Sequence, residues 1–158
     1  MTLSGLLDVV QDDPALSAAL AAARDGAPTE FEVGGPTAVH PVLAAVIADQ
    51  VHGAGRPLLA VAATTREVEV LSAGLRSFLP AEQVVEFPAW ETLPFERLSP
   101  RSDTVGRRLA VLRRLRHPNA DSTGSGPVRV VVATVRALLQ PLVRGLGDLE
   151  PVALQVGD

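Results

Sequence analysis

Two short apolar runs, residues 57–63 (PLLAVAA) and 128–133 (VRVVVA), constrain what this chain can fold into more than any other feature. Neither run alternates apolar with polar positions. Such runs suit strands covered on both faces, as in a parallel sheet whose crossovers are helices. Both lead into threonine. After Thr64 or Thr65, the residues Val68, Leu71, Leu75 and Phe78 recur at helical spacing until Pro80. Thr134 likewise caps a short helix running through Leu139. Strand followed by helix, twice over, predicts an α/β fold with a mainly parallel sheet flanked by helices.

The remaining segments fit around this frame. Leu6, Leu7 and Val10, then Leu16, Ala19, Leu20 and Ala23, give helical spacing over 4–11 and 14–24, with Pro14 as an early helical residue. Residues 29–33 read as a short strand entering Gly34-Gly35-Pro36-Thr37. A helix from about Pro41 carries Leu43, Val46, Ile47 and Val51 on one face and is closed by Gly53 and Gly55. Residues 83–87 form a further strand. The stretch 87–100 (FPAWETLPFERLSP) sets prolines among aromatics and predicts an ordered, irregular loop. A helix begins at Ser102 or Asp103, with Val105, Leu109, Leu112 and Leu115 inward and Arg107, Arg108 and Arg114 outward, until His117-Pro118. Residues 119–126 (NADSTGSG) read as a flexible surface loop and 152–156 as a final strand. The expected organisation is N-terminal helices over 1–27 and the α/β domain over 28–158, with no internal repeat.

Composition narrows function mainly by exclusion. The chain has no cysteine, which removes disulfides, thiolate nucleophiles and thiolate metal sites. The apolar runs are broken by Asp49, Gln50, His52 and Arg56, well short of the roughly 20 residues a membrane span needs. The acidic N-terminus lacks the basic start of a secretory signal, so a cytoplasmic protein without membrane contact is expected. Net charge is −4, yet half of the 14 basic residues lie between Arg97 and Arg116. Every basic residue is arginine, the usage of a GC-rich genome. That usage explains arginine on surfaces, not the loss of a lysine at a phosphate site.

A glycine-containing turn between a strand and a helix is where P-loops occur. Backbone N–H groups and the helix dipole cradle phosphates there, and a lysine reaches the β- and γ-phosphates. In this chain the place is filled by Gly34, Gly35, Pro36, Thr37, Ala38, Val39, His40 and Pro41. The Gly-Lys-Ser/Thr ending is absent, and Pro36 and Pro41 remove two donors. His40 is shorter than lysine and mostly neutral near pH 7, so a structural turn is the expected role. His40, His52 and His117 are too scattered for metal ligation, and no Gly-x-Ser-x-Gly elbow is present. Neither a cofactor nor a catalytic residue is expected.

Trp90 and Phe95 are large anchors held by prolines. They either cover the sheet edge within the domain or fix the loop against another surface. The sequence Trp90-Glu91-Thr92-Leu93-Pro94-Phe95-Glu96, followed by Ser99-Pro100, Asp103 and an Arg–Leu helix, resembles a signature of the bacterial transcription-repair coupling factors. The agreement runs from the turn near Gly34 through 57–80 to 130–142, whereas the first thirty residues are generic.

The resemblance implies the first lobe of a module similar to the damage-verification subunit of the excision nuclease (UvrB), with a RecA-like fold. It implies that Gly34, Gly35, Pro36, Thr37 and His40 occupy a degenerate P-loop, and that the chain ends near the border of a domain recruiting UvrA. ATP use by a translocase motor, RNA polymerase and DNA contacts would belong to other parts of the parent protein. This lobe would be a non-catalytic scaffold touching neighbouring domains. Under that scaffold reading the arginine helix would pair with acidic residues of an adjoining domain; the alternative is a DNA-contacting module in which Arg101, Arg107, Arg108, Arg113 and Arg114 meet phosphates.

Overall fold

The computed structural model describes residues 3–26, 30–49, 51, 53–92, 98–119 and 126–150. Pro94, Phe95 and the strand expected at 152–156 lie outside these residues, as does most of the 119–126 loop. Two short N-terminal helices, α1 (Gly5–Val10) and α2 (Pro14–Asp25), precede α3 (Val39–Ala48). Then come β1 (Leu58–Ala62), α4 (Thr65–Leu75), β2 (Val84–Phe87), α5 (Ser102–Arg116), β3 (Val130–Thr134) and α6 (Val135–Leu139). The strands form one parallel sheet in the order β1-β3-β2. The α/β class with a parallel, helix-flanked sheet is thus observed.

The local chemistry explains most boundaries. Asp13 accepts hydrogen bonds from the Ala15 and Leu16 amides at 3.0 and 3.2 Å, and Pro14 follows as the first residue of α2. Gly26 closes the same helix with φ of 68°, a left-handed conformation that glycine adopts at no steric cost. The central strand β3 is buried over Val130–Ala133, as expected of a continuous apolar run flanked by strands and helices.

Helices cover the two faces unequally. On one face, α1 to α4 pack with Leu7, Leu20, Ala45, Val46, Val68 and Leu75 against Val84, Val130 and Val132. Leu58, Ala60 and Ala62 of β1 point to this side. The α3–α4 contact is close: a Cβ at Gly74 would lie 2.7 Å from Pro41 Cγ. On the other face, Val111 and Ala137 from α5 and α6 pack with Phe87, Val128, Val131 and Ala133.

Three expectations are corrected. Residues 30–33 form no strand, because Glu30, Phe31 and Glu32 alternate charge with one apolar side chain and all three are exposed. A strand inside a parallel sheet needs apolar side chains on both faces. The helix expected to reach Val51 stops at Ala48. The Asp49 carboxylate accepts the Val51 N–H at 3.0 Å, and the Gly53 N–H bonds Asp49 O at 3.1 Å, turning the chain away from helix. Finally, the buried face of α5 carries Thr104, Arg108 and Val111, about one residue round from the expected face. Val105, Leu109 and Leu112 are only half-buried, Leu115 is exposed, and Arg108 points inward.

Candidate functional site

The C-terminal end of a parallel sheet is where α/β folds bind ligands, because loops diverge there and helix N-termini point inward. The cleft at that end of β1 has a volume of about 620 Å³. One wall is Thr37, His40 and Pro41 at the start of α3; the other is Thr64, Arg66 and Glu67 at the start of α4. The structure therefore brings three expected positions, Thr37, His40 and the neighbouring Pro41, to the edge of the sheet.

Several of the amides around this cleft are already used. The Glu67 carboxylate accepts the Ala63 and Thr64 amides at 2.9 and 3.1 Å, while Thr64 Oγ1 accepts the Glu67 amide at 3.2 Å. This reciprocal capping box places the protein's own carboxylate over donors that a phosphate would need. At the start of α3, Val39 N–H bonds Pro36 O at 2.9 Å and His40 N–H bonds Thr37 O at 3.2 Å. Pro36 and Pro41 have no N–H to offer. Neither Gly34 nor Gly35 has a positive φ, and a Cβ on Gly34 would meet nothing within 4 Å. The glycines are therefore not shaped into a left-handed phosphate nest.

Sequence reasoning did not single out Arg66 or Glu67. The signal for Glu67 was present as Thr64-x-x-Glu67, the spacing of a capping box. Among the described residues no group of three or more His, Asp or Glu side chains could hold a metal ion, and no helix is long and apolar enough to cross a membrane.

The described part of the tryptophan loop is anchored on the domain itself. Gln140 pairs with both backbone groups of Trp90, its Oε1 accepting the N–H at 2.7 Å and its Nε2 donating to the carbonyl at 3.2 Å. Glu91 accepts a hydrogen bond from the Thr104 hydroxyl, which holds the Glu91 carboxyl below the usual carboxylate range, helped by backbone N–H groups and the charge of Arg101. Ser99 is exposed, Pro100 is half-buried, and Asp103 is exposed in the first turn of α5, where a carboxylate complements the helix dipole.

Among the described residues Arg108 is the largest fully buried side chain, 1% exposed. Its Cζ lies 4.1 Å from the Phe87 ring centroid and 4.3 Å from that of Trp90, so the guanidinium is stacked between two aromatic faces. Nη1 donates to Pro88 O at 2.5 Å, whereas Nε and Nη2 are buried without a hydrogen-bond partner. Burial pulls the Arg108 pKa below the usual guanidinium value. The ring quadrupoles and the Pro88 carbonyl offset that desolvation.

The other arginines of the basic stretch do not form a single strip. Arg113 Nη1 donates to Leu149 O at 2.8 Å, and Arg114 Nη2 donates to Glu82 O at 2.7 Å and Gly126 O at 3.3 Å. Arg107 reaches Glu86 at 3.5 Å across the outer edge of β2, where Arg76 of the α4 C-terminus meets the same carboxylate at 3.1 Å. Arg116 and His117 converge on Asp148 at 3.0 and 3.1 Å. The Arg116 hydrogen bond is the main reason the Asp148 carboxyl sits below its usual range. Arg101 is exposed, and Arg108 is out of reach of any phosphate.

No protein-family model matches the chain. It is 42% identical over 156 residues to the transcription-repair-coupling factors of Mycobacterium bovis (strain ATCC BAA-935 / AF2122/97) and Mycobacterium tuberculosis (strain CDC 1551 / Oshkosh). The chain is homologous to a segment of the transcription-repair coupling factors. The match takes in 99% of this chain but 12% of each relative's length. It therefore extends into the first thirty residues, which carry no recognisable motif of their own.

Proposed function

We propose that this chain is a nucleotide-independent scaffold lobe acting in transcription-coupled DNA repair. In this reading it is the first α/β lobe of a UvrB-like module within a transcription-repair coupling factor. It holds in place the neighbouring domain that recruits UvrA, while ATP-driven translocation and contact with RNA polymerase and DNA fall to other parts of the parent protein. The observation that carries the reading is the occupied cradle. Glu67 takes the Ala63 and Thr64 amides ahead of α4, turn bonds take those of Val39 and His40, prolines stand at 36 and 41, and the chain has no lysine. A lobe with this chemistry keeps the shape of a nucleotide-binding fold and gives its surfaces to neighbours.

The test is made in the full-length Mycobacterium tuberculosis relative. Alanine at the positions equivalent to Thr37 and His40 is expected to leave its ATP hydrolysis and UvrA binding unchanged. A tenfold-scale fall in kcat for ATP, about 1.4 kcal/mol in barrier height, would overturn the reading.

A further inference from the structure

A groove of about 250 Å³ runs between α5 and the outer edge of β2. Arg107, Ala110 and Arg114 stand at i, i+3 and i+7 of α5, one stripe of the helix, and line the groove together with Arg76, Val85 and Glu86. Two guanidinia share one carboxylate here. Arg76 Nη2 donates to Glu86 at 3.1 Å, whereas Arg107 comes only within 3.5 Å of the other Glu86 oxygen and keeps half of its side chain in solvent. Backbone pairing is hindered along the same edge, since Arg76 Nη2 donates to Val84 O at 3.5 Å and Arg114 Nη2 to Glu82 O at 2.7 Å. The groove therefore offers a ligand side-chain charge beside an apolar floor of Ala110 and Val85.

We infer that this groove is a docking surface for an acidic segment of a separate partner protein. A carboxylate of the segment takes Arg107 from Glu86, and a neighbouring apolar side chain rests on Ala110 and Val85. Glu86 decides the kind of partner. It satisfies the arginines while the groove is empty, in a pair solvated enough to exchange at little cost. The surface is thus stable uncovered and suits a partner that comes and goes, whereas a permanently packed domain would gain nothing from a carboxylate competing with its own. A phosphate backbone fits less well. The Glu86 charge sits inside the groove, Arg113 and Arg116 turn away to Leu149 O and Asp148, and the chain carries a net charge of −4. The groove lies along β2 and the nucleotide-site cleft along β1, at opposite edges of the sheet, so the inference goes beyond the scaffold reading.

The test titrates the chain with a capped nonapeptide alternating Glu and Val, followed by NMR shifts of the Arg76 and Arg107 Nε–H groups and of the Val85 and Ala110 amides. Saturable shifts at these four residues are expected at low salt, fading as salt is raised, with none from the matching Gln–Val peptide. Arg107→Gln should weaken binding about fivefold. Glu86→Gln removes the internal competitor and should tighten binding by a similar factor. Glu32→Gln, the same change in net charge at an exposed site before α3, should leave it unchanged. Equal binding of the Gln–Val peptide, or equal tightening by Glu32→Gln, would overturn the inference. So would a short duplex DNA that shifts the same four residues at lower concentration, because the ligand would then be phosphate. Failure of the full-length parent protein to take up a peptide that the isolated chain binds would also overturn it, since the occupant would then be one of the parent's own segments. None of these outcomes bears on the ATP measurements at Thr37 and His40, so the two readings fail separately.

Discussion

A guanidinium between two aromatic rings trades hydration for ring quadrupoles, and Arg108 has only one carbonyl to help. Its truncation should therefore be costly in a way its charge alone would not suggest. Arg108→Ala removes the stack and leaves a void under Trp90, with an expected loss of about 2–4 kcal/mol in urea unfolding. Arg108→Met, which refills the volume and deletes two unpaired donors, should stay within about 1 kcal/mol of the parent chain. If both variants lose the same amount, the charge and not the packing is what matters. This residue was not legible in the sequence. Arg108 shares its helix with Arg107, Arg113, Arg114 and Arg116, and an arginine in such company normally faces water. Only the position of Phe87 and Trp90, both distant in sequence, turns it inward.

At the scale of elements, the β1–α4 junction combines structure with the argument about function. Thr64 and Glu67 cap the same helix end reciprocally, so their contributions should not add. Thr64→Ala and Glu67→Ala are each expected to cost about 1 kcal/mol, and the double variant less than the sum, by denaturant titration. Simple additivity would mean the carboxylate is not held over the amides in solution. The elements themselves were largely legible. Continuous apolar runs gave β1 and β3, and threonine caps marked the helices that follow. The absent strand at 30–33 and the early end of α3 were not, because both are decided by partners and turn bonds that a local pattern does not contain. Period alone placed α5 correctly along the chain but about 100° off in rotation, since two adjacent 3.6-residue stripes were both plausible cores.

For the whole molecule, Arg76 and Arg107 guard the outer edge of β2, and both helix starts beside the cleft spend amides on the protein's own groups. Those features agree with a lobe that serves as a mounting surface within a longer protein. The phosphate-site turn without lysine was legible in the sequence; the carboxylate that occupies the neighbouring amides needed coordinates. The most direct test of the central claim is isothermal titration of the chain with Mg²⁺ and ATP at millimolar nucleotide. The account predicts no saturable heat. Saturable binding in the micromolar range, about −8 kcal/mol, that is lost on His40→Ala or Arg66→Ala would contradict it.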